Sequence, residues 1–249
     1  MTCAVLSDIH GNFEALEAVL AKIDSLGVDA VYCLGDLVGY NADPGPCAEL
    51  VLGRAAAVVR GNHDKGVAGL LSLDWFNPIA KEAALWTRGN LGPQLLERLR
   101  RLPEGPRLAG EGVVLCHGTP MDEDAYMVDA ASIAESFRCL DERFPRTRIC
   151  FHGHTHSPLI VVRREGDRKA SVLRGRDEIV LEAGSTLLIN PGSIGQPRDG
   201  NPRASFGIFN TDTGVFQVVR VAYAVETTSR KIRAAGLPPE LAWRLAEGR

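Results

Sequence analysis

The stretch CAVLSDIHGNFEALEAVLAKIDSLGVDAVYCLGD (3–36) indicates the fold class, because it reads as a strand, a helix and a second strand. Two short apolar runs, 3–8 and 30–36, each end in an aspartate. Between Asn12, a predicted helix cap, and Gly27, a predicted helix stop, apolar residues recur at helical spacing: Phe13, Leu16, Val19, Leu20, Ile23 and Leu26. Since strands joined by a crossover helix are normally parallel, the stretch predicts an α/β fold.

The rest of the chain first repeats this alternation and then changes. The pattern predicts a short helix from Pro44, a strand at 56–64, one or two helices in 78–101, a strand at 112–118, a helix at 130–143 and a strand at 148–154. From 159 to 222 closely spaced strands follow, and two helices close the chain. We therefore expect a single domain over residues 1–249, with one mainly parallel sheet, one sheet of antiparallel character, and helices outside.

Composition excludes several classes of protein. Hydrophobic residues make up 45% and charged residues 24% of the 249 residues, as in a globular protein with a core. The formal net charge of -3 makes nucleic acid an improbable partner. The basic run 98–101 fits a helix end, and the charges around 163–169 fit a solvated turn.

The chain carries no pattern for export or for membrane insertion. Its N-terminus lacks the features of a signal peptide, and no apolar run reaches the roughly 18 residues of a membrane span. The six cysteines form no C-x-x-C pair and are predicted to be buried free thiols. These features predict a cytoplasmic protein without membrane contacts.

Polar residues gather where the early strands end. In an open α/β sheet this edge is where ligands bind, and glycine permits the tight turns needed there. Five segments are concerned: Asp8-Ile-His10, Gly35-Asp36, Gly61-Asn62-His63-Asp64, His117-Gly118 and Gly153-His154-Thr155-His156. Buried carboxylates without partners are costly, whereas a metal centre satisfies both carboxylates and imidazoles. There are too many ligands for one tetrahedral zinc, so two divalent ions fit better: Mn, or Fe, Ni, Co or Zn.

These five blocks, in this order, resemble the calcineurin-like metallophosphoesterase superfamily, over residues 3 to about 160. The segment Asn190-Pro191-Gly192-Ser193 resembles a loop in its YfcE-like branch of small bacterial phosphodiesterases. The resemblance implies a four-layer α/β/β/α sandwich with two mixed sheets. It also implies that Asp36 bridges two metals, with three further ligands for each: Asp8, His10 and His156 for the first, and Asn62, His117 and His154 for the second.

The resemblance implies a mechanism as well. A hydroxide shared by the two metals would attack the phosphoester, and His63 would act as general acid toward the leaving group. We expect Asp64 to orient the imidazole of His63 or to raise its basicity.

Other residues are assigned from their place in the sequence. Tyr40 and Asn41, after the bridging aspartate, either line the substrate cleft or belong to a turn. Arg198 and Arg203 lie in a loop and either contact phosphate or are ordinary surface charge. His152 is expected to be buried and structural, and Trp75, Phe76 and Trp86 are expected to pack the helical segment.

The expected activity is that of a phosphodiesterase acting on a small phosphoester. The alternatives are a dinucleoside polyphosphate hydrolase, a protein phosphatase, a nuclease, or a non-catalytic scaffold of the same fold. A complete set of seven metal ligands and His63 argues against the scaffold, and the missing basic patch argues against the nuclease. Strand edges in 159–222 could also pair in a homodimer.

Overall fold

Two six-stranded sheets form the centre of the protein in a computed structural model that describes residues 1–167 and 169–249. In spatial order the first sheet contains β3 (Ala57–Val58), β2 (Ala30–Cys33), β1 (Thr2–Leu6), β11 (Ala204–Asn210), β12 (Val215–Val221) and β9 (Glu178–Val180). The second contains β4 (Arg107–Gly110), β5 (Val113–Leu115), β6 (Ile149–Phe151), β10 (Ser185–Asn190), β7 (Leu159–Arg164) and β8 (Ser171–Val172). Arg168, part of the predicted solvated turn, lies outside the described residues.

Both sheets are mixed. In the first sheet β1, β2 and β3 are parallel, and β11 joins β1 in the antiparallel sense. In the second sheet β5, β6 and β10 are parallel, while β4 and β7 flank them in the antiparallel sense. The expectation of one mainly parallel and one antiparallel sheet is therefore wrong, because the late strands are distributed over both sheets. The two mixed sheets implied by the resemblance are confirmed.

Helices cover the outer faces of this pair of sheets. In the described part of the chain they are α1 (Phe13–Leu26), α2 (Pro44–Arg54), α3 (Asn62–Ala68), α4 (Pro78–Asn90), α5 (Pro93–Arg100), α6 (Ala130–Arg143), α7 (Val225–Ala234) and α8 (Pro239–Glu247), with a 3₁₀ turn at Leu73–Trp75. Within these residues no helix is long and apolar enough to cross a membrane.

The alternation of side chains along β1 shows how the four layers are joined. Ala4 and Leu6 point to an outer core shared with α1, α2 and α5. Cys3 and Val5 point to the core between the two sheets. A third core lies under α6, on the other face of the second sheet. Successive residues of a strand point to opposite faces, so the short apolar strands can be buried on both sides.

The local signals for α1 are confirmed. The Asn12 side chain accepts a hydrogen bond from the amide of Ala15 (3.2 Å), and Gly27 ends the helix with φ 62°. The strand predicted at 56–64 is shorter, because Asn62 already begins α3. There Asp64 accepts a hydrogen bond from the amide of Gly61 (3.0 Å), which caps the helix and turns the chain.

The last two helices form a separate layer beside the first sheet. Ile232 of α7 and Leu241 and Leu245 of α8 are buried together with Ala83 of α4 and with Tyr40, in the loop after β2. The amide of Gly200 also donates to the carbonyl of Gly248 (2.9 Å). The end of the chain therefore supports the loop after β2, the helix α4 and the loop that follows β10.

Candidate metal centre and cavity

The five polar segments converge where the carboxyl ends of the parallel strands of both sheets meet. Those after β1, β2 and β3 come from the first sheet, and those after β5 and β6 come from the second. Their donor atoms form two groups, each with all atoms within 4.8 Å of one another: Asp8, His10, Asp36 and His156 in one, and Asp36, His117 and His154 in the other. Asp36 belongs to both groups.

The position of Asp36 fits a shared ligand. Its Oδ2 is buried without a hydrogen-bond partner among the described residues, and it lies 3.4 Å from Nε2 of both His10 and His117. Its Oδ1 accepts from the amide of His63 (2.8 Å). Asn62 joins the second group, since its Oδ1 lies 3.2 Å from His117 Nε2. An orphaned buried oxygen among imidazoles is costly without a cation, so this donor set fits divalent metals.

Backbone carbonyls orient the imidazoles. The Nδ1 atoms of His10, His117 and His156 lie 3.1, 2.8 and 2.7 Å from the carbonyls of Val38, Leu34 and Gln196. His154 instead uses Nε2, 3.1 Å from the carbonyl of Asp124. Because a carbonyl only accepts, the contacting nitrogen must donate and the other nitrogen is free as a ligand. Three histidines thus present Nε2 and His154 presents Nδ1.

Backbone strain is concentrated at this centre. In the described part of the chain six residues other than glycine have positive φ: Asp8, His10, Asp36, Tyr40, His154 and His156, with values of 50–66°. Five of them are predicted metal ligands and the sixth lines the adjacent cavity. Such residues cost of order 1 kcal/mol or more each and persist only where the surroundings hold them. The turns are bent to aim these side chains inward.

Two glycines allow this close approach. A Cβ at Gly61 would collide with the Asp36 carboxylate, and a Cβ at Gly195 would collide with the carbonyl of Ile9. The turns after β2 and β3 are therefore in contact through backbone, as are the turn after β1 and the loop after β10.

The loop at 190–196 ties the two sheets together at the site. Asn190 donates to the carbonyl of Gly153 (2.7 Å), and Ser193 donates to the carbonyl of Asp8 (2.8 Å). The two turns also contact each other directly. The backbone amide of His154 donates to the Asp8 carboxylate, whose two oxygens both lie 3.2 Å away. The segment singled out in the sequence analysis thus fixes the two ligand-bearing turns relative to each other.

Burial shifts the pKa values of the donor residues. It raises the pKa of Asp8 to about 6 and lowers that of His154 to about 3. Burial by itself would also raise the pKa of Asp36, but the neighbouring histidines, His117 first and then His63 and His10, together outweigh it and hold that pKa well below its usual value. The same carboxylate raises the pKa of His117 to about 10 against the effect of burial, so in the absence of metal Nε2 of His117 carries a proton that a bound cation would displace. Asp36 is therefore an anion at neutral pH, as a bridging ligand must be.

His63 lies beside the donor groups, but Asp64 does not serve it. The ring of His63 packs against Tyr40 (4.4 Å between centroids) and edge-on against Phe76 (4.9 Å), and its Nδ1 has no partner among the described residues. The Asp64 carboxylate accepts from the amides of Asp36 and Leu37 (both 2.9 Å) as well as Gly61. The expectation that Asp64 orients the imidazole is wrong, because backbone amides of the turn that carries Asp36 occupy its oxygens.

A cavity of about 380 Å³ opens onto the centre. Tyr40 and Arg198 line it, and the Arg198 guanidinium lies 2.9 Å from Gln196 Oε1 and 3.4 Å from the Tyr40 hydroxyl. Asn41 and Arg203 are not among the lining residues. Asn41 is buried and donates to the carbonyl of His10 (2.9 Å), whereas Arg203 is exposed and contacts Asn201.

Sequence reasoning missed one wall of the cavity. Tyr126 stacks on His154 with centroids 3.9 Å apart, and Asp124 holds the same imidazole through its carbonyl. Lys65 of α3 pairs with Asp124 (2.6 Å) and with Glu123 (2.7 Å). The segment 119–128 is irregular and has no periodicity, so only the density of acidic residues before an aromatic residue could have drawn attention to it.

Three further predictions have mixed outcomes. His152 is fully buried and lies outside both donor groups, as expected, and burial lowers its pKa to about 4. Phe76 packs against the core shared with α1, α2 and α5 and against the buried residues of α7 and α8, and Trp86 packs against the latter. Trp75, however, is 84% exposed and lines the cavity, so its assignment to packing is wrong. The six cysteines are all free and buried, as expected.

The chain is similar to known proteins over its whole length. A family model described as the calcineurin-like phosphoesterase superfamily domain matches residues 1–214. The uncharacterized protein MJ0912 of Methanocaldococcus jannaschii is 37% identical over 248 residues, covering 99% of this chain and 98% of the relative. A metallophosphoesterase from Sphaerobacter thermophilus is 39% identical with a TM-score of 0.84, covering 100% of this chain and 99% of that one.

The fold also recurs at lower identity. The hypothetical protein PH1004 from Pyrococcus horikoshii OT3 is 22% identical with a TM-score of 0.79, covering 100% of this chain and 98% of that one. The placement in a branch of small bacterial phosphodiesterases stays a prediction.

Proposed function

Since the chain belongs to the calcineurin-like phosphoesterase superfamily, we propose that it is a phosphodiesterase of small substrates with a dinuclear metal centre. The observation that carries this proposal is the orphaned Oδ2 of Asp36, 3.4 Å from a ligand nitrogen of each donor group. One carboxylate common to two groups is the arrangement expected for two ions that share a bridging ligand.

Two divalent ions, when bound, would activate water for attack and neutralise the charge on the phosphate oxygens. Imidazoles with carboxylates suit manganese, and also iron, nickel, cobalt or zinc. The residues that would hold them are Asp8, His10 and His156 for one ion, Asn62, His117 and His154 for the other, and Asp36 for both.

His63 would supply the proton to the leaving oxygen. It lines the cavity beside the donor groups, and its Nδ1 is not engaged by the described residues. Burial lowers the pKa of His63 to about 4, and the Asp36 carboxylate acts in the opposite direction. A bound phosphoester adds negative charge next to the ring, which favours the protonated imidazole and so opposes the effect of burial.

Arg198 and Tyr40 would hold the phosphate. The guanidinium of Arg198 projects into the cavity, where its fork of N–H groups matches two phosphate oxygens. Burial raises the pKa of Tyr40, so its hydroxyl stays a donor at neutral pH. Its ring also lies against His10 and His63, with centroids 4.6 and 4.4 Å away. Tyr40 therefore links the phosphate contact to the residues that perform the chemistry.

The size of the cavity favours a small substrate over a protein. About 380 Å³ lies at the lower end of the range for small-molecule sites. The intact donor set supports catalysis over a scaffold role, since a scaffold has no need of strained turns that aim buried ligands at one point.

The test is turnover by metal-stripped protein resupplied with single metals. Hydrolysis of bis-p-nitrophenyl phosphate and of p-nitrophenyl phosphate would be measured with manganese, nickel, cobalt, zinc or magnesium. We expect diester cleavage that depends on metal and is lost in Asp36→Asn, which should also bind fewer ions. No turnover of either ester despite two bound ions would refute the proposal and support the scaffold.

A further inference from the structure

Trp75 is 84% exposed, yet it lines the same cavity as Asp36 and His154. A lone exposed apolar side chain is ordinary on a protein surface. An indole ring at the mouth of a cavity whose floor holds two donor groups is different, because a ligand that enters will cover it. The ring of Trp75 has no aromatic stacking partner among the described residues.

The backbone around Trp75 is anchored on both sides. The 3₁₀ turn Leu73–Trp75 is capped by Ser72, which accepts from the amide of Asp74 (3.2 Å). Leu73 is buried, and the Phe76 ring packs on His63. The turn is packed so closely on α3 that a Cβ at Gly66 would lie 2.9 Å from both Leu73 and Phe76. Trp75 therefore projects from a fixed support, and stacking on it costs little conformational entropy.

Exposure increases from the floor of the cavity to its mouth. The residues of the floor are buried, with Asp36 at 1% and His154 at 5%. The aromatic residues nearer the surface are Tyr126 at 50% and Trp75 at 84%. One face of Tyr126 is stacked on His154, whereas Trp75 is stacked on no aromatic ring among the described residues, so both of its faces can receive a ligand. Polar residues line the cavity together with these rings, among them Asn77 and Arg198.

We propose that the substrate is a nucleoside-bearing phosphoester, with its phosphate at the donor groups and its base stacked on Trp75. This inference rests on the proposed function and specifies its substrate class. A planar heteroaromatic base matches an open indole face. A short aliphatic ester would leave Trp75 in water and gain nothing from it.

The test compares two ligands that differ by the base. Manganese-loaded protein would be titrated by calorimetry with adenosine 5′-monophosphate and with ribose 5-phosphate, while released phosphate is measured so that turnover can be subtracted. Stacking of one base is worth ~1–3 kcal/mol, so the wild type should bind the adenosine compound about 5- to 150-fold more tightly. Trp75→Ala should bring the ratio of the two affinities close to one, and Trp75→Phe should restore most of it.

Trp243 provides the matched control. It is an exposed tryptophan (60%) on α8 that does not line the cavity, so Trp243→Ala should keep the wild-type ratio. Equal or absent binding of both ligands by the wild type, or an unchanged ratio in Trp75→Ala, would overturn the inference. Failure of the proposed function would give a different result. Bis-p-nitrophenyl phosphate would then not be hydrolysed with any metal, whatever the ratio of the affinities for adenosine 5′-monophosphate and ribose 5-phosphate.

Discussion

Replacement of Gly61 by alanine tests whether the position of Asp36 governs the metal centre. The Gly61 backbone itself accepts alanine, since its φ is -104°. The added Cβ would, however, lie 2.7 Å from Cγ of Asp36 and 2.5 Å from its amide nitrogen, where ordinary contact begins at 3.4 Å. Asp36 and the turn at Gly61 must therefore separate by at least about 0.7–0.9 Å, the amounts by which these two distances fall short of 3.4 Å, because the added Cβ would lie closer still to Oδ1 of Asp36.

Asp36 has no room to absorb that movement without loss. Its side chain is 1% exposed, its Oδ1 accepts from the amide of His63, and its own amide donates to Asp64. A displacement of about 1 Å at a reacting centre costs on the order of 100-fold in rate, and altered support of a ligand costs about 10- to 100-fold in metal affinity. We expect Gly61→Ala to lose about 100-fold in diester turnover and to bind both ions more weakly.

The measurements are manganese titration by calorimetry, steady-state hydrolysis of bis-p-nitrophenyl phosphate, and circular dichroism to establish folding. Gly53→Ala is the matched control, because Gly53 lies in α2 with nothing within 4 Å of the added Cβ. It should leave metal binding unchanged and stabilise the protein by about 0.5–1 kcal/mol through helix propensity. Wild-type affinity for two ions in Gly61→Ala, with normal turnover, would refute the reasoning.

Three further predictions concern the proton donor, the second ion and stability in acid. His63→Ala should slow the hydrolysis of diesters with alkyl leaving groups by about 100- to 10,000-fold. Hydrolysis of p-nitrophenyl esters should slow much less, because a good leaving group needs no proton. Equal losses of rate for both kinds of ester in steady-state assays would exclude the general acid role. Lys65→Met should weaken mainly the ion held by Asn62, His117 and His154, since Lys65 supports Asp124 and hence His154; two-site calorimetry with equal weakening at both sites would contradict this. Burial lowers the pKa of His152 from 6.5 to about 4 in the folded protein. The unfolded chain therefore takes up a proton at a higher pH than the folded protein does, and the free energy of unfolding decreases as the pH falls from 6.5 to 4. The free energy of unfolding of His152→Leu should therefore rise relative to that of the wild type by up to about 3 kcal/mol as the pH falls from 6.5 to 4, at about 1.4 kcal/mol per pH unit. Urea unfolding at both pH values would measure it, and a constant difference would refute the assignment.

Much of the site could be predicted because its residues stand at the ends of short apolar strands. Asp8, Asp36 and His117 each follow a run that is buried on both faces, and such runs are readable without knowledge of their neighbours. The distribution of the late strands was not predictable in this way. β11 and β10 have similar apolar patterns, but they join different sheets, and only tertiary pairing decides which.

The residues that were misassigned owe their roles to long-range contacts. Asp64 follows His63 in the sequence, yet its carboxylate faces the amides of Asp36 and Leu37, in a turn 27–28 residues away. Trp75 and Phe76 are neighbours of similar character, and one is exposed at the cavity while the other packs inward. Sequence proximity and residue type carry no information on such contacts, because they depend on how the turns are folded against each other.

The helices α7 and α8 have a consequence for how this protein can diversify. They lie beyond residues 1–214, the part that the family model matches, and yet they support Tyr40 from behind. Substitutions of Ile232, Leu241 or Leu245 during evolution can therefore alter one wall of the cavity while every donor residue is retained. Residues outside the matched part can thus shape the cavity wall behind Tyr40 without touching the donor residues, so grafting the terminal helices between relatives offers a way to alter the cavity alone.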